Sequence, residues 1–240
     1  MKPAIFLAAM FVFLVATTAD SCVVFFDDFN AGARPEWGHE RGDWQVSSGA
    51  YYAPNYNWNY QPYSSITSYP DLTDFEVELD VNNLLSGGVA LRSTYYGGYA
   101  PSGWPLNGVF LVTGGGPGTW DALYWVIIQN GIFGPDLNKV DGLGIRHQNV
   151  HLRITVEGDL YSAYVKGSPT PATTLTTNAF ASGSVALFAG WSWDMPPYQT
   201  FDNVSLSPVP EPVTFVPFLG GMLTALAALG RRIRMTCRRV

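Results

Sequence analysis

Seven consecutive residues, Phe75-Glu76-Val77-Glu78-Leu79-Asp80-Val81, alternate apolar and acidic without a break. A period of two puts every apolar side chain on one side of an extended strand and every carboxylate on the other; on a helix the same order would scatter both kinds around the axis. This stretch therefore requires a sheet with one dry face and one wet face. Shorter runs of the same kind recur at residues 23–29, 44–52, 89–94, 109–113, 123–129, 150–156, 160–166, 184–189 and 200–206. The breaks carry turn chemistry: Ser86-Gly87-Gly88, Gly114-Gly115-Gly116-Pro117-Gly118, and Glu157-Gly158-Asp159, the last a tight hairpin between two strands. With no helical period between residues 20 and 208, these runs predict one all-β domain, a two-sheet antiparallel sandwich rather than a small barrel.

The two ends follow other rules. Lys2 precedes an uncharged, largely apolar run that closes on Thr17-Thr18-Ala19, the pattern of a signal peptide over residues 1–19. At the far end, Pro210-Glu211-Pro212 is followed by 17 uncharged residues, 213–229, and then by Arg231, Arg232, Arg234, Arg238 and Arg239. A helix of that length, at about 1.5 Å per residue, approaches the roughly 30 Å core of a bilayer. Arginines at its exit fix that end in the cytoplasm, which agrees with an exported body over residues 20–208 and a membrane-anchoring tail over 209–240. The order of Pro-Glu-Pro, apolar span and arginines resembles the PEP-CTERM sorting signal of bacteria that make exopolysaccharide. The resemblance implies that an exosortase reads the tail, cuts near Pro210, Glu211 and Pro212, and leaves the body at the cell surface or in the extracellular matrix.

Composition narrows the partners. All 19 acids but only 7 of the 13 bases lie between Asp20 and Glu211, a balance of −12. Such a body repels phosphate backbones, which excludes nucleic acid as a partner. Both cysteines, Cys22 and Cys237, fall outside the strand-patterned stretch, so that stretch must be held by its core.

Several loose motifs occur in a telling order. Phe26-Asp27-Asp28-Phe29 with Trp37, then Gly42-Asp43-Trp44-Gln45-Val46, open the body. The acidic strand and Gly88-Val89-Ala90-Leu91-Arg92 continue it. Val150-His151-Leu152-Arg153-Ile154, Gly183-Ser184-Val185-Ala186-Leu187 and Phe201-Asp202-Asn203-Val204 close it. Together they resemble a concanavalin-A-like jelly roll of the laminin-G-like kind. The resemblance implies two sheets of about six strands each, one convex and one concave, with ligands met on the concave face or at its rim loops.

Three constellations carry candidate chemistry. Glu76, Glu78 and Asp80 share one strand face at steps of about 6.6–7 Å. The placement resembles the acidic strand of family 16 glycoside hydrolases, whose paired carboxylates perform retaining hydrolysis at about 5–5.5 Å separation. The order here is Glu, Glu, Asp, with an Asp where that family places its acid, and a solvated face guarded by charge explains the same pattern. Rings form the second constellation: Tyr51, Tyr52, Tyr56, Trp58, Tyr60, Tyr63 and Tyr69, of which Tyr56, Trp58 and Tyr60 are interleaved with Asn55, Asn57, Asn59 and Gln61, then Tyr95, Tyr96, Tyr99 and Trp104, and finally Trp191 and Trp193. Sugars stack on such rings and bond to such amides, although rings can equally cap a sandwich core. The third is Asp27, Asp28 and Asp202 with Asn203, on first and last strands that lie side by side in this fold. These are oxygen donors for a structural Ca²⁺ or for internal hydrogen bonds. His39, His147 and His151 lack zinc spacing. The favoured reading is a non-enzymatic, surface-sorted jelly roll that binds exopolysaccharide or another matrix glycan without a cofactor. The alternatives are a glycoside hydrolase using Glu76, Glu78 or Asp80, and a structural or adhesive surface protein.

Overall fold

The computed structural model describes residues 22–54, 62–97, 106–114, 121–189 and 198–209. The expected signal peptide and the tail residues Pro210, Glu211, Pro212, Arg231, Arg232 and Arg234 lie outside them. In chain order the strands are β1 (Phe25–Asp27), β2 (Gln45–Ser47), β3 (Ala50–Tyr52), β4 (Tyr63–Ser65), β5 (Phe75–Asn82), β6 (Gly87–Tyr95), β7 (Leu106–Thr113), β8 (Ala122–Gln129), β9 (Ile132–Phe133), β10 (Leu137–Asp141), β11 (Val150–Glu157), β12 (Leu160–Val165), β13 (Thr173–Thr176), β14 (Ser184–Ala189) and β15 (Thr200–Pro208). They form two sheets, antiparallel throughout. The first runs β13-β12-β11-β5-β15-β3-β2, with β1 also on β15; the second runs β10-β8-β7-β6-β14-β4, with β9 also on β8. The expected all-β jelly-roll sandwich is the observed fold.

The acidic strand behaves as its period requires. On β5 the residues Phe75, Val77, Leu79 and Val81 are buried, and Glu76, Glu78, Asp80 and Asn82 between them are half-buried. The neighbours keep the register, with Leu79 opposite Leu152 of β11 and Leu206 of β15 opposite Val77, so the three central strands send one apolar row into the core. First and last strands do lie side by side: Phe25 is opposite Leu206, and Asp27 is opposite Val204.

Where the sequence pattern and the structure differ, backbone geometry is the cause. The single run expected at 44–52 is a hairpin of β2 and β3, because Ser48 (φ 54) and Gly49 (φ 74) both adopt the left-handed conformation of a two-residue turn. Asn130 (φ 53) and Gly131 (φ 73) make the same turn between β8 and β9. The short strands β4, β9, β10 and β13 carry too few residues for alternation to be visible, which raises the sheets to eight and seven strands.

Two features tie the layers together. Asp27, at the end of β1, accepts hydrogen bonds from the Phe29 and Arg34 amides (both 2.9 Å) and from Trp37 Nε1 (2.8 Å), which folds residues 28–37 back over the core. Phe25, Phe29, Trp37, Trp44, Tyr51 and Phe201 pack there, with Trp44 stacked on Tyr51 at 4.6 Å. Burial raises the Tyr51 hydroxyl far above its usual pKa. Arg92 is the second tie. It sits at a register shift in β6 with φ 45, and its side chain is 4% exposed. Its guanidinium donates to the carbonyls of Thr73 (2.6 Å), Gly158 (2.7 Å) and Phe180 (2.9 Å), and it lies 3.5 Å from the Asp74 carboxylate. One buried cation thus joins the second sheet to the loop before β5, the β11–β12 hairpin and the segment before β14.

Candidate functional site

The second sheet is closed on both faces. Val89, Leu111, Trp125 and Leu187 face the shared core, while Ala90, Phe110, Val126 and Phe188 belong to a separate apolar cluster on the other face. Phe110 and Phe188 meet edge to face at 5.3 Å, and Tyr63 stacks on Tyr95 at 5.9 Å. Gly88 is required in this sheet: at φ 143, any Cβ would collide with the Leu111 carbonyl. Among the described residues this sheet therefore offers no open floor, and the candidate site is sought at the ends of its strands.

Pairing decides which segments share an end. Gly87 pairs with both Thr113 and Ala189, Thr113 pairs with Leu123, and Phe188 pairs with Tyr63. These residues flank segments 55–61, 115–120 and 190–197, so all three connect at one end of the second sheet. Segment 98–105 connects at the other, where Tyr95 pairs with Leu106. Tyr56, Trp58, Tyr60, Tyr99, Trp104, Trp191 and Trp193 themselves lie outside the described residues. Tyr96 is described; it is exposed just beyond β6, at the end opposite Gly87. The candidate rings thus divide into two groups by attachment.

The Gly87 end also gathers described residues with suitable chemistry. Tyr52 and Tyr198 stack at 6.2 Å with ring planes 18° apart, both half-buried. Next to them, Asn83 hydrogen-bonds through its side-chain oxygen with His147 Nδ1 (3.1 Å), and its amide donates to Asn149 Oδ1 (3.1 Å). Gln199 Oε1 accepts from the Leu85 amide (2.8 Å), whereas its Nε2 is buried without a hydrogen-bond partner among the described residues. Asp121, beside the start of β8, accepts from the backbone amides of Gly144, Ile145 and Arg146. Those donors, with that of Ile145 foremost, hold its carboxyl below the usual 3.8. Stacked rings beside amides and an imidazole can take the flat C–H face and the hydroxyls of a sugar. Of this group only Tyr52 stood in a ring cluster of the sequence. Asn83 and His147 have φ of 50 and 55, and Tyr198 and Gln199 enter through strand pairing, neither of which a residue pattern displays.

The carboxylates lie elsewhere, on the outer face of the first sheet. Glu76 Oε2 pairs with Arg153 Nη1 (3.1 Å), and that guanidinium covers the Tyr164 ring at 3.8 Å. Asp80 receives His151 Nδ1 at 2.9 Å on one oxygen and Asn203 Nδ2 at 2.8 Å on the other. Glu78 lies opposite Arg153 on one side and Ser205 on the other. Asp202 lies directly opposite Asp80. Its carboxyl is raised above 3.8, first by burial and then by the charges of Asp80, Asp28 and Asp27. Asp28 accepts from the Asn30 amide (3.1 Å), and its side-chain contact with Asn30 lowers its pKa. With Asp27 committed to three N–H donors, a structural Ca²⁺ would fall to Asp28 and Asp202. Among the described residues no group of three or more His, Cys, Asp or Glu is arranged to hold a metal ion.

No family model and no curated protein matches the chain. Solved structures share its fold. A CBM66 carbohydrate-binding module from Bacillus subtilis superposes with a TM-score of 0.54 at 16% identity, covering 72% of this chain and 95% of that one. The exoplasmic/lumenal domain of VIP36 bound to Ca²⁺ and Man3GlcNAc gives 0.57 at 12% identity, covering 79% and 90%. The kappa-carrageenase of Pseudoalteromonas carrageenovora, in complex with an oligotetrasaccharide of kappa-carrageenan, gives 0.51 at 11% identity, covering 83% and 99%. At these identities the likeness is one of fold.

Proposed function

We propose that this protein is an exported, surface-sorted jelly roll that binds a glycan of the exopolysaccharide or matrix kind and performs no chemistry on it. The observation that carries the reading is the convergence of the attachment points of segments 55–61, 115–120 and 190–197 beside the Tyr52–Tyr198 stack. The fold likeness to a carbohydrate-binding module and to the Man3GlcNAc-bound VIP36 domain supports it. The cross-strand pairing of Glu76 with Arg153 and of Asp80 with His151 and Asn203 supports a charged outer surface rather than an acid and a nucleophile waiting for substrate. The sorting part rests on the sequence: the Pro-Glu-Pro tail is cut by an exosortase after transient anchoring by residues 213–229.

Affinity electrophoresis against a panel of soluble polysaccharides tests binding. We expect at least one glycan to retard the wild type, and Tyr198→Ala and Tyr52→Ala to weaken it by about tenfold, since loss of a stacked ring costs about 1–1.5 kcal/mol. Retardation by none would refute glycan binding. Turnover in a reducing-sugar assay, abolished by Glu76→Gln, would establish the hydrolase instead. Mass spectrometry of the exported protein tests sorting: a C-terminus near Glu211 is expected, and one at Val240 rules tail processing out.

A further inference from the structure

Every Lys and Arg between Asp20 and Glu211 is described, so the cations available to a ligand can be followed one by one. Arg92 is buried in its carbonyl cage beside Asp74. Arg153 is taken by Glu76 and the Tyr164 ring. Arg34 donates to the Phe26 carbonyl and lies 3.6 Å from Glu36. Lys139 pairs with Asp141 at 3.1 Å. Arg41 stands apart in the chain, its backbone bridged to that of Tyr63 on the second sheet. That leaves Lys166, which donates to the Gly144 carbonyl and whose charge acts on the Asp121 carboxylate, and Arg146, whose backbone amide donates to that same carboxylate. Against these 7 bases the described residues carry 16 acids, several of them on the outer face of the first sheet.

We infer that the glycan bound by this protein is uncharged: a polysaccharide without uronate, sulfate or phosphate groups. The inference rests on the glycan-binding reading and narrows its ligand class. A polyanion gains affinity chiefly when clustered Lys and Arg displace its counterions. Here five of the seven, Arg34, Arg92, Lys139, Arg153 and Lys166, are already matched by an acid or a carbonyl, and the excess negative charge repels the chain as it approaches. Segments 55–61, 98–105, 115–120 and 190–197 agree in composition, because their sequences contain no Lys, Arg or His and a single acid, Asp194. Recognition then falls to ring faces and amides, which suit neutral hydroxyl-bearing rings.

The test compares glycans that share a backbone and differ in charge. The full-length chain, with its five terminal arginines changed to glutamine so that the tail adds no positive charge, is run in affinity gels. The gels contain dextran, laminarin or galactomannan, and in parallel dextran sulfate, alginate or polygalacturonate. We expect retardation by at least one neutral polymer, with a Kd that moves less than about twofold between low and physiological salt, and at least tenfold weaker retardation by the anionic ones. Lys166→Gln with Arg146→Gln leaves the neutral binding unchanged. An anionic glycan that binds more tightly than every neutral one, and is released by salt, overturns the inference while leaving glycan binding intact. Retention only of an amine-bearing polymer such as chitosan, lost in high salt, overturns it as well. Retardation by none of the polymers defeats the glycan-binding reading itself.

Discussion

On the first sheet the two faces alternate along the acidic strand: Val77, Leu79 and Val81 are closed off, while Glu76, Glu78 and Asp80 stay half-buried, with Glu76 and Asp80 bonded to partners on neighbouring strands. On the second sheet Leu123, Tyr124, Trp125 and Val126 follow one another and all are buried. Both are antiparallel strands around one core. The difference teaches that alternation in a sequence reports a wet outer face rather than a strand as such, and that a continuous apolar run in an antiparallel sheet reports a second covered face. It also moves the candidate site. The open face is the charged one, and the closed sheet offers its strand ends.

The contrast can be broken experimentally. The largest effect is expected where the sheets are tied: Arg92→Met leaves the carbonyls of Thr73, Gly158 and Phe180 without a donor in the interior and should cost about 3–5 kcal/mol in urea unfolding. A cost below about 1 kcal/mol would show that Arg92 does not hold the layers together. Next, Phe110→Ala on the outer face of the second sheet should cost about 3–4 kcal/mol, against less than about 0.5 kcal/mol for Leu160→Ala, whose side chain is exposed on the first. Equal costs would mean that the two outer faces do not differ in cover.

Two smaller effects are set by pH. Asp121 has a folded pKa below its unfolded value, so its contribution is present above about pH 4 and is lost as pH falls through the lower folded value. Asp121→Ala should therefore cost about 1 kcal/mol at neutral pH, a modest figure because the carboxylate is solvated, and nothing in strong acid. Asp202 has the opposite sign. Its raised pKa favours the protonated folded form, an advantage present below 3.8 and lost as pH rises through the folded value. Asp202→Asn should thus stabilise the protein by a few tenths of a kcal/mol at neutral pH, from relief of the Asp80–Asp202 juxtaposition, and not in acid. Destabilisation at pH 7 would show that the two carboxylates do not oppose each other.

Most of the fold was legible because its long strands alternate or carry β-branched and aromatic runs between glycine turns. β14 has the bounds read from the sequence, and the turn at Gly158 joins Glu157 to Leu160 as expected. The hairpin inside 44–52 was not legible, since nothing in Ser48 announces φ 54. The ring clusters were legible only as composition. Tyr51 and Tyr63, both members of the first cluster, are fully buried core residues, whereas Tyr52 between them is half-buried and stacks on a residue 146 positions away in the chain.

By itself the sequence determined the longer strands and the acidity and base-poverty of the stretch they occupy, because period, charge and local turn chemistry act between near neighbours. The tertiary structure alone decided that the second sheet is covered on both faces and that Arg92 is enclosed by three distant carbonyls. It also decided that Glu76 meets Arg153, that Asp80 meets His151 and Asn203, and that Tyr52, Asn83, His147 and Tyr198 share one end. Those outcomes depend on which strands pair, and pairing is settled by burying surfaces far apart along the chain, a property that no short stretch of residues carries.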